Sequence, residues 1–462
     1  MKSLLKLLML GLVLLACEDR TELTEPSKPN TGTANFTKFV AIGNSLTAGY
    51  QSSALYESAQ EYSFSKQIAN QVGVEFVQPT ISDPGIGGRI EVKSIVPFST
   101  KTASINAGSP TNLNFKGIYN NLGIPGALLP DILTAKNTST AIDKSNVFFD
   151  IVLRNQDKTP LEMALSAQPT LVSLWIGNND ILGYATSGGI IPHTPVETFA
   201  YLYDQLCGAL AQAGIPVILA NIPNVSAIPF FTTVAPSIGQ SLQAAQSQNP
   251  QIQGLVYSTS STNIPVGLAT ISDLLSNKTM VTLKGSGAAQ FLGDTKGLYY
   301  STNSITVPEG VNIAYPFGLT AENPFPNSLV LDPLEQIEVQ NVVSSFNSSI
   351  KSISDKYNFH LVDINNFFNE VAADGYESDG VEFTTQYISG GIFSLDGVHP
   401  TSQGYAIIAN QFIEKINADF GAKIEKINVS QVPGSLELAK KVTFEKFNLP
   451  IFEIGTFDNI FY

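Results

Sequence analysis

Short apolar runs that alternate with helical stretches predict an α/β fold with a parallel sheet covered on both faces. Three observations carry this prediction. Lys38–Ile42 (KFVAI), Pro169–Ile176 (PTLVSLWI), Pro216–Ile222 (PVILANI) and His360–Ile364 (HLVDI) each read as a buried strand. Helical patterns fall between them and after the last. The long helix before the fourth strand carries its own start signal, with Asp332 as cap, Pro333 in the first turn and Glu335 reaching back.

Taken in order, the ordered domain is expected to begin near Phe36. Its first strand ends at Gly43, and Glu57–Val72 is a candidate helix. Residues 79–120 are rich in Gly, Ser, Thr and Asn and read as an irregular insertion. Pro195–Ala213 is helical, and Gly214 separates it from the third strand. Residues 224–330 form a second long insertion, either a cap or a surface subdomain. The Asp332-capped helix should reach about Tyr357. Ile408, Phe412, Ile416 and Phe420 recur every fourth residue and mark a final helix. The domain is assigned to residues 36–422, leaving a tail, 423–462, of unknown role. Its Phe444, Phe447, Phe452, Phe457, Phe461 and Tyr462 point to packing against an unspecified surface.

Charged residues make up only 14% of the 462, and the formal net charge is −14. Nucleic acid and anionic membrane surfaces are repelled by such a charge, and no run of Lys or Arg reverses it locally. Two cysteines, Cys17 and Cys207, exclude a disulfide framework. Cys207 lies within the apolar series Phe199, Leu202, Leu206, Leu210 and reads as a buried thiol. Residues 1–16 (MKSLLKLLMLGLVLLA) combine a basic start at Lys2 and Lys6 with an apolar stretch too short to span a bilayer comfortably. The ending Leu14-Leu15-Ala16-Cys17 resembles a bacterial lipobox, which implies lipidation of Cys17, export, and anchoring to the cell envelope. Residues 17–35 are polar, acidic at Glu18 and Asp19, and read as a flexible tether.

Ligands of parallel sheets bind beyond the carboxyl ends of the strands. Four short blocks occupy such loops. Gly43-Asn44-Ser45-Leu46 puts a serine directly after a strand and before a helix, where its hydroxyl is exposed near a helix N-terminus. The same pattern also describes an N-cap serine. Asn121-Leu122-Gly123-Ile124-Pro125-Gly126 offers a glycine whose N–H can approach a ligand, or an ordinary turn. Gly177-Asn178-Asn179-Asp180 ends a strand in amides that can donate to an oxyanion, or in an Asn/Asp turn. Asp396-Gly397-Val398-His399 sets a carboxylate three residues before a histidine. That carboxylate can fix the ring's tautomer if the loop folds back. Of the three histidines, His193 and His360 read as structural or surface residues.

Together, in this order, the blocks resemble the SGNH/GDSL hydrolase family of esterases and lipases, with Ser45, Gly126, Asn179 and His399 at its four namesake positions. The resemblance implies a three-layer, flavodoxin-like α/β/α domain and ester hydrolysis through an acyl-enzyme. It implies Ser45 as nucleophile, His399 as base and then acid, and Asp396 as its orienting partner. The oxyanion hole would comprise the N–H groups of Ser45 and Gly126 with the Asn179 amide, and no cofactor or metal is implied. The expected partner is a small-molecule, lipid or polysaccharide ester. A non-catalytic binding lipoprotein on the same fold is the competing class, and a carbohydrate acetylesterase is the alternative within the enzymes. Phe230, Phe231, Tyr299 and Tyr300 either line an acyl pocket or build a small core of the insertion. One departure stands out, Asn44 where the family usually has Asp.

Overall fold

The computed structural model describes residues 29–95, 98–260, 265–434 and 456–457. The leader at 1–16, Cys17 and most of the tether and tail lie outside these residues. Among the described residues no helix is long and apolar enough to cross a membrane.

Five parallel strands form the central sheet: β1 (Phe39–Gly43), β2 (Asn121–Gly123), β3 (Leu171–Trp175), β4 (Val217–Ala220) and β5 (His360–Val362). In space the strands run β5-β4-β3-β1-β2. This is the flavodoxin-like order, with its topological switch between β1 and β3, where ligands of such sheets bind. β1, β2, β3 and β4 are buried throughout, as strands flanked by helices must be.

Helices α1 (Ser45–Ala48), α2 (Phe64–Val72), α3 (Asn179–Thr186), α4 (Val196–Gln212), α5 (Pro333–Tyr357), α6 (Ile364–Asp374) and α7 (Ser402–Phe420) surround the sheet. On one side α2 packs on α7, and on the other α5 packs on α4 and α3. Aromatic rings bind the layers. Phe64 of α2 stacks on Phe412 of α7 at 4.8 Å, and both rings meet Trp175 at the end of β3. Opposite, Phe199 of α4 stacks on Phe346 of α5 at 3.8 Å. Cys207 is buried on α4, and burial raises its thiol pKa far above the ordinary value.

Several elements depart from the sequence reading. The expected helix at Glu57–Val72 is two, Glu57–Gln60 and α2, because the Ser63 side chain caps a new start by accepting from Lys66 N–H. The 79–120 insertion is not wholly irregular, since Ile90–Ile95 pairs with Phe98–Thr102. Asn121–Gly123, read as a turn, is an edge strand of the main sheet, paired with β1. The 224–330 insertion contains the helix Val234–Gln246 and the antiparallel pair Gly254–Ser258 and Val266–Thr270. Tyr299 stacks on Phe317 at 4.6 Å, and Tyr299 and Tyr300 are buried. These tyrosines build core.

The α2–β3–α7 aromatic contact should carry much of the fold. Phe412→Ala is expected to lower the unfolding free energy by about 3–5 kcal/mol, the range for a buried Phe that leaves a cavity. Urea denaturation measures this, and a loss under about 1 kcal/mol would show that the layer relaxes around the gap.

Candidate active site

The four blocks converge at the carboxyl ends of β1, β2 and β3. β1 delivers its chain directly into α1, so Ser45 is the first helical residue. Gly43 is required by crowding: a Cβ there would lie 2.1 Å from Thr47 Oγ1 and 2.4 Å from the Trp175 carbonyl. Asn44 caps α1, its Oδ1 accepting from Leu46 N–H at 3.1 Å. Its Nδ2 donates to Asn178 Oδ1 at 3.3 Å, which ties the first block to the third. Asn44 thus acts as acceptor and donor at once.

His399 returns to Ser45 across 354 positions. His399 Nε2 lies 2.9 Å from Ser45 Oγ, and His399 Nδ1 lies 3.0 Å from Asp396 Oδ2. Ser45, Asp396 and His399 are 4%, 0% and 2% exposed. Asp396 Oδ1 accepts from the N–H groups of Val398 and His399, at 2.9 and 2.8 Å. Burial by itself raises the Asp396 pKa, but the His399 ring and these donors together hold it below the ordinary value. The result is a hydroxyl, an imidazole and an ionised carboxylate in one relay, shielded from water.

The histidine loop is held from several sides. Gly397 has φ 70°, and an added Cβ would lie 2.7 Å from Leu283 Cδ1. Phe230 N–H donates to the Gly397 carbonyl at 3.0 Å, and the Phe230 carbonyl accepts from Leu283 N–H. The tail reaches this point: Phe457, 2% exposed, sets its ring against Phe230 at 5.6 Å. On the other flank the Tyr50 ring lies 4.8 Å from the imidazole.

Ser53 N–H donates to Asp396 Oδ2 at 2.8 Å, a contact the sequence reading missed. Ser52 and Ser53 both adopt positive φ, 52° and 61°, which non-glycine residues enter at some cost. No glycine or proline marks that turn in the sequence, so nothing there signalled it. Ser52 N–H adds a bond to Ser394 Oγ at 2.9 Å.

Gly126 has φ 76° in the loop after β2. Among the described residues, the N–H groups of Ser45 and Gly126 have no protein acceptor. Asn179 opens α3, and its Nδ2 donates to the Ala127 carbonyl at 3.0 Å, which orients the amide beside the Gly126 loop and leaves its second N–H. Asp180, also missed, completes the clamp: it accepts from Leu129 N–H at 2.9 Å and from Thr194 Oγ1 at 2.7 Å. His193 instead pairs with Glu338 and His360 with Asp419, outside the site. Among the described residues no group of three or more His, Cys, Asp or Glu assembles as a metal site.

Burial pushes the Asp180 carboxyl up from 3.8 to about 7, against its hydrogen bonds from Thr194 and Leu129. A proton held by the folded chain and released on unfolding makes stability fall as pH rises between these two values. Asp180→Asn should therefore remove up to about 1.4 kcal/mol per pH unit from that decline, as read by urea denaturation across the window. An identical decline in the variant would assign the effect to another carboxyl, such as Glu335, which burial also raises to about 7.

The family model for GDSL-like lipase/acylhydrolase matches residues 39–286 and 289–412. A search of curated proteins finds no match. Among solved structures, LAE5, an alpha/beta hydrolase enzyme from the metagenome of Lake Arreo, Spain, aligns over 83% of this chain and 96% of its own at 11% identity. Its TM-score of 0.34 is too low to bear on the site. The family match spans both the serine and the histidine blocks and most of the chain between them, so this chain belongs to the GDSL-like lipase/acylhydrolase family.

Proposed function

We propose that the chain is a serine hydrolase of carboxylic esters that works through an acyl-enzyme on Ser45. The observation that carries the reading is the buried relay from Ser45 Oγ to His399 Nε2, 2.9 Å, and from His399 Nδ1 to Asp396, 3.0 Å. A serine hydroxyl becomes nucleophilic when a base takes its proton as it attacks. His399 is within reach to do so, and Asp396 supports the imidazolium that forms.

In the first half-reaction Ser45 Oγ bonds to the ester carbonyl carbon and its proton passes to His399. The carbonyl oxygen becomes an oxyanion, which the N–H groups of Ser45 and Gly126 and the Asn179 amide stabilise. The tetrahedral species then expels the alcohol, which takes the proton from His399. In the second half, water attacks the acyl carbon with His399 again as base, and Ser45 leaves with the proton as the acid is released. The lipobox-like Leu14-Leu15-Ala16-Cys17 supports a further part of the proposal: export, with lipid attachment at Cys17 holding the enzyme to the cell envelope.

Ser45→Ala is expected to abolish both p-nitrophenyl acetate hydrolysis and labelling by a fluorophosphonate. Equal rates in variant and wild type would remove the enzymatic reading. Asn179→Ala should lower kcat by roughly 10²–10³, as expected for one oxyanion donor, and an unchanged kcat would take Asn179 out of the mechanism.

A further inference from the structure

We propose that a polar cleft at the β5 edge of the sheet binds a neutral carbohydrate chain. It would hold the alcohol part of an ester cleaved at Ser45. The second statement rests on the hydrolase reading above, whereas the first stands on the cleft itself.

The cleft has a volume of about 570 Å³, within the range of small-molecule sites. It opens beyond the carboxyl ends of β4 and β5, on the same end of the sheet as Ser45. Its walls are α5 and α6, and side-chain amides and hydroxyls dominate the lining. An amide presents donors and an acceptor together, which matches a sugar hydroxyl, itself donor and acceptor. The floor is already interlocked. Asn221 Oδ1 accepts from Asn365 N–H at 2.8 Å, and Asn347 exchanges bonds with both backbone groups of Ile222 at 2.8 Å. A floor set this way loses little freedom when a ligand arrives.

The charges in the cleft argue against an anionic ligand. Lys351 is engaged by Asp355 at 2.6 Å. Asp363 accepts from Asn221 Nδ2 at 2.7 Å and from Asn366 N–H at 3.0 Å. Lys351 is paired and Asp363 keeps its negative charge, so neither favours a phosphate or a carboxylate in the cleft.

Position decides the length of the occupant. β5 is three strands from β1 in the sheet order, or roughly 14 Å at the usual strand spacing. A molecule that fills the cleft and also reaches Ser45 must be extended, with several linked rings. The way between them is marked by Asn224, which lines the cleft and also a small apolar pocket. That pocket is bounded by Leu46, next to Ser45, and by Val398 and Pro400 on either side of His399.

The test is calorimetric titration of the wild-type protein with xylohexaose, cellohexaose and mannohexaose, none of which carries an ester, and with an oligogalacturonate. Ser344→Trp and Ser348→Trp serve as blocking variants, since both serines lie on the exposed face of α5. At least one neutral hexasaccharide should bind, and each Trp should weaken it by about tenfold or more by displacing the hydrogen bonds of the cleft. Failure of all three neutral sugars, tighter binding of the anionic one, or binding that both variants leave intact would each overturn the proposal. Fluorophosphonate labelling of the same protein separates the two readings. Labelled Ser45 without sugar binding removes the cleft alone, and sugar binding without labelling removes the hydrolase and keeps the cleft.

Discussion

The site depends on stabilising one carboxylate that has no exposure to water. A buried charge is costly unless donors surround it. Asp396 meets four: the N–H groups of Val398, His399 and Ser53, and the imidazole Nδ1 of His399. The first two bend its own loop into shape. Ser53 fastens that loop to the segment that follows the Ser45 helix. The fourth aims the ring at Ser45. A single desolvated anion thus sets both the electrostatics and the geometry, and the strained turn at Ser52–Ser53 persists because it supplies one of the donors.

A second clamp orders the opposite side of Ser45. Asn179 and Asp180 sit side by side at the start of α3, and each bonds to the backbone just after Gly126, at Ala127 and Leu129. Asn44 joins this clamp to the serine through Asn178. Hydrogen bonds therefore link the elements that follow three strand ends.

Much of this was legible in the sequence where a residue's chemistry is tied to a local pattern. Ser45 after an apolar strand, His399 three residues beyond Asp396 and the Asp332-Pro333 helix start all stand where they were expected. Local pattern failed where tertiary contact decides conformation. Asn121–Gly123 carries no β-branched or aromatic residue, yet it forms a strand because β1 offers it an edge. The run Glu57–Val72 looked continuous because Ser63 as an internal cap competes with helix only once its partners are in place. Ser53 contributes through its backbone N–H, and a backbone group leaves no mark on residue type.

The first described residues meet the far end of α7. Thr33 N–H donates to the Phe420 carbonyl at 2.9 Å, and Asn30 bridges to Lys423. At its other end α7 begins with Thr401 as cap, two residues past His399. Its 19 residues span about 28 Å. The described chain thus enters at one pole of the domain, while Ser45 sits at the other.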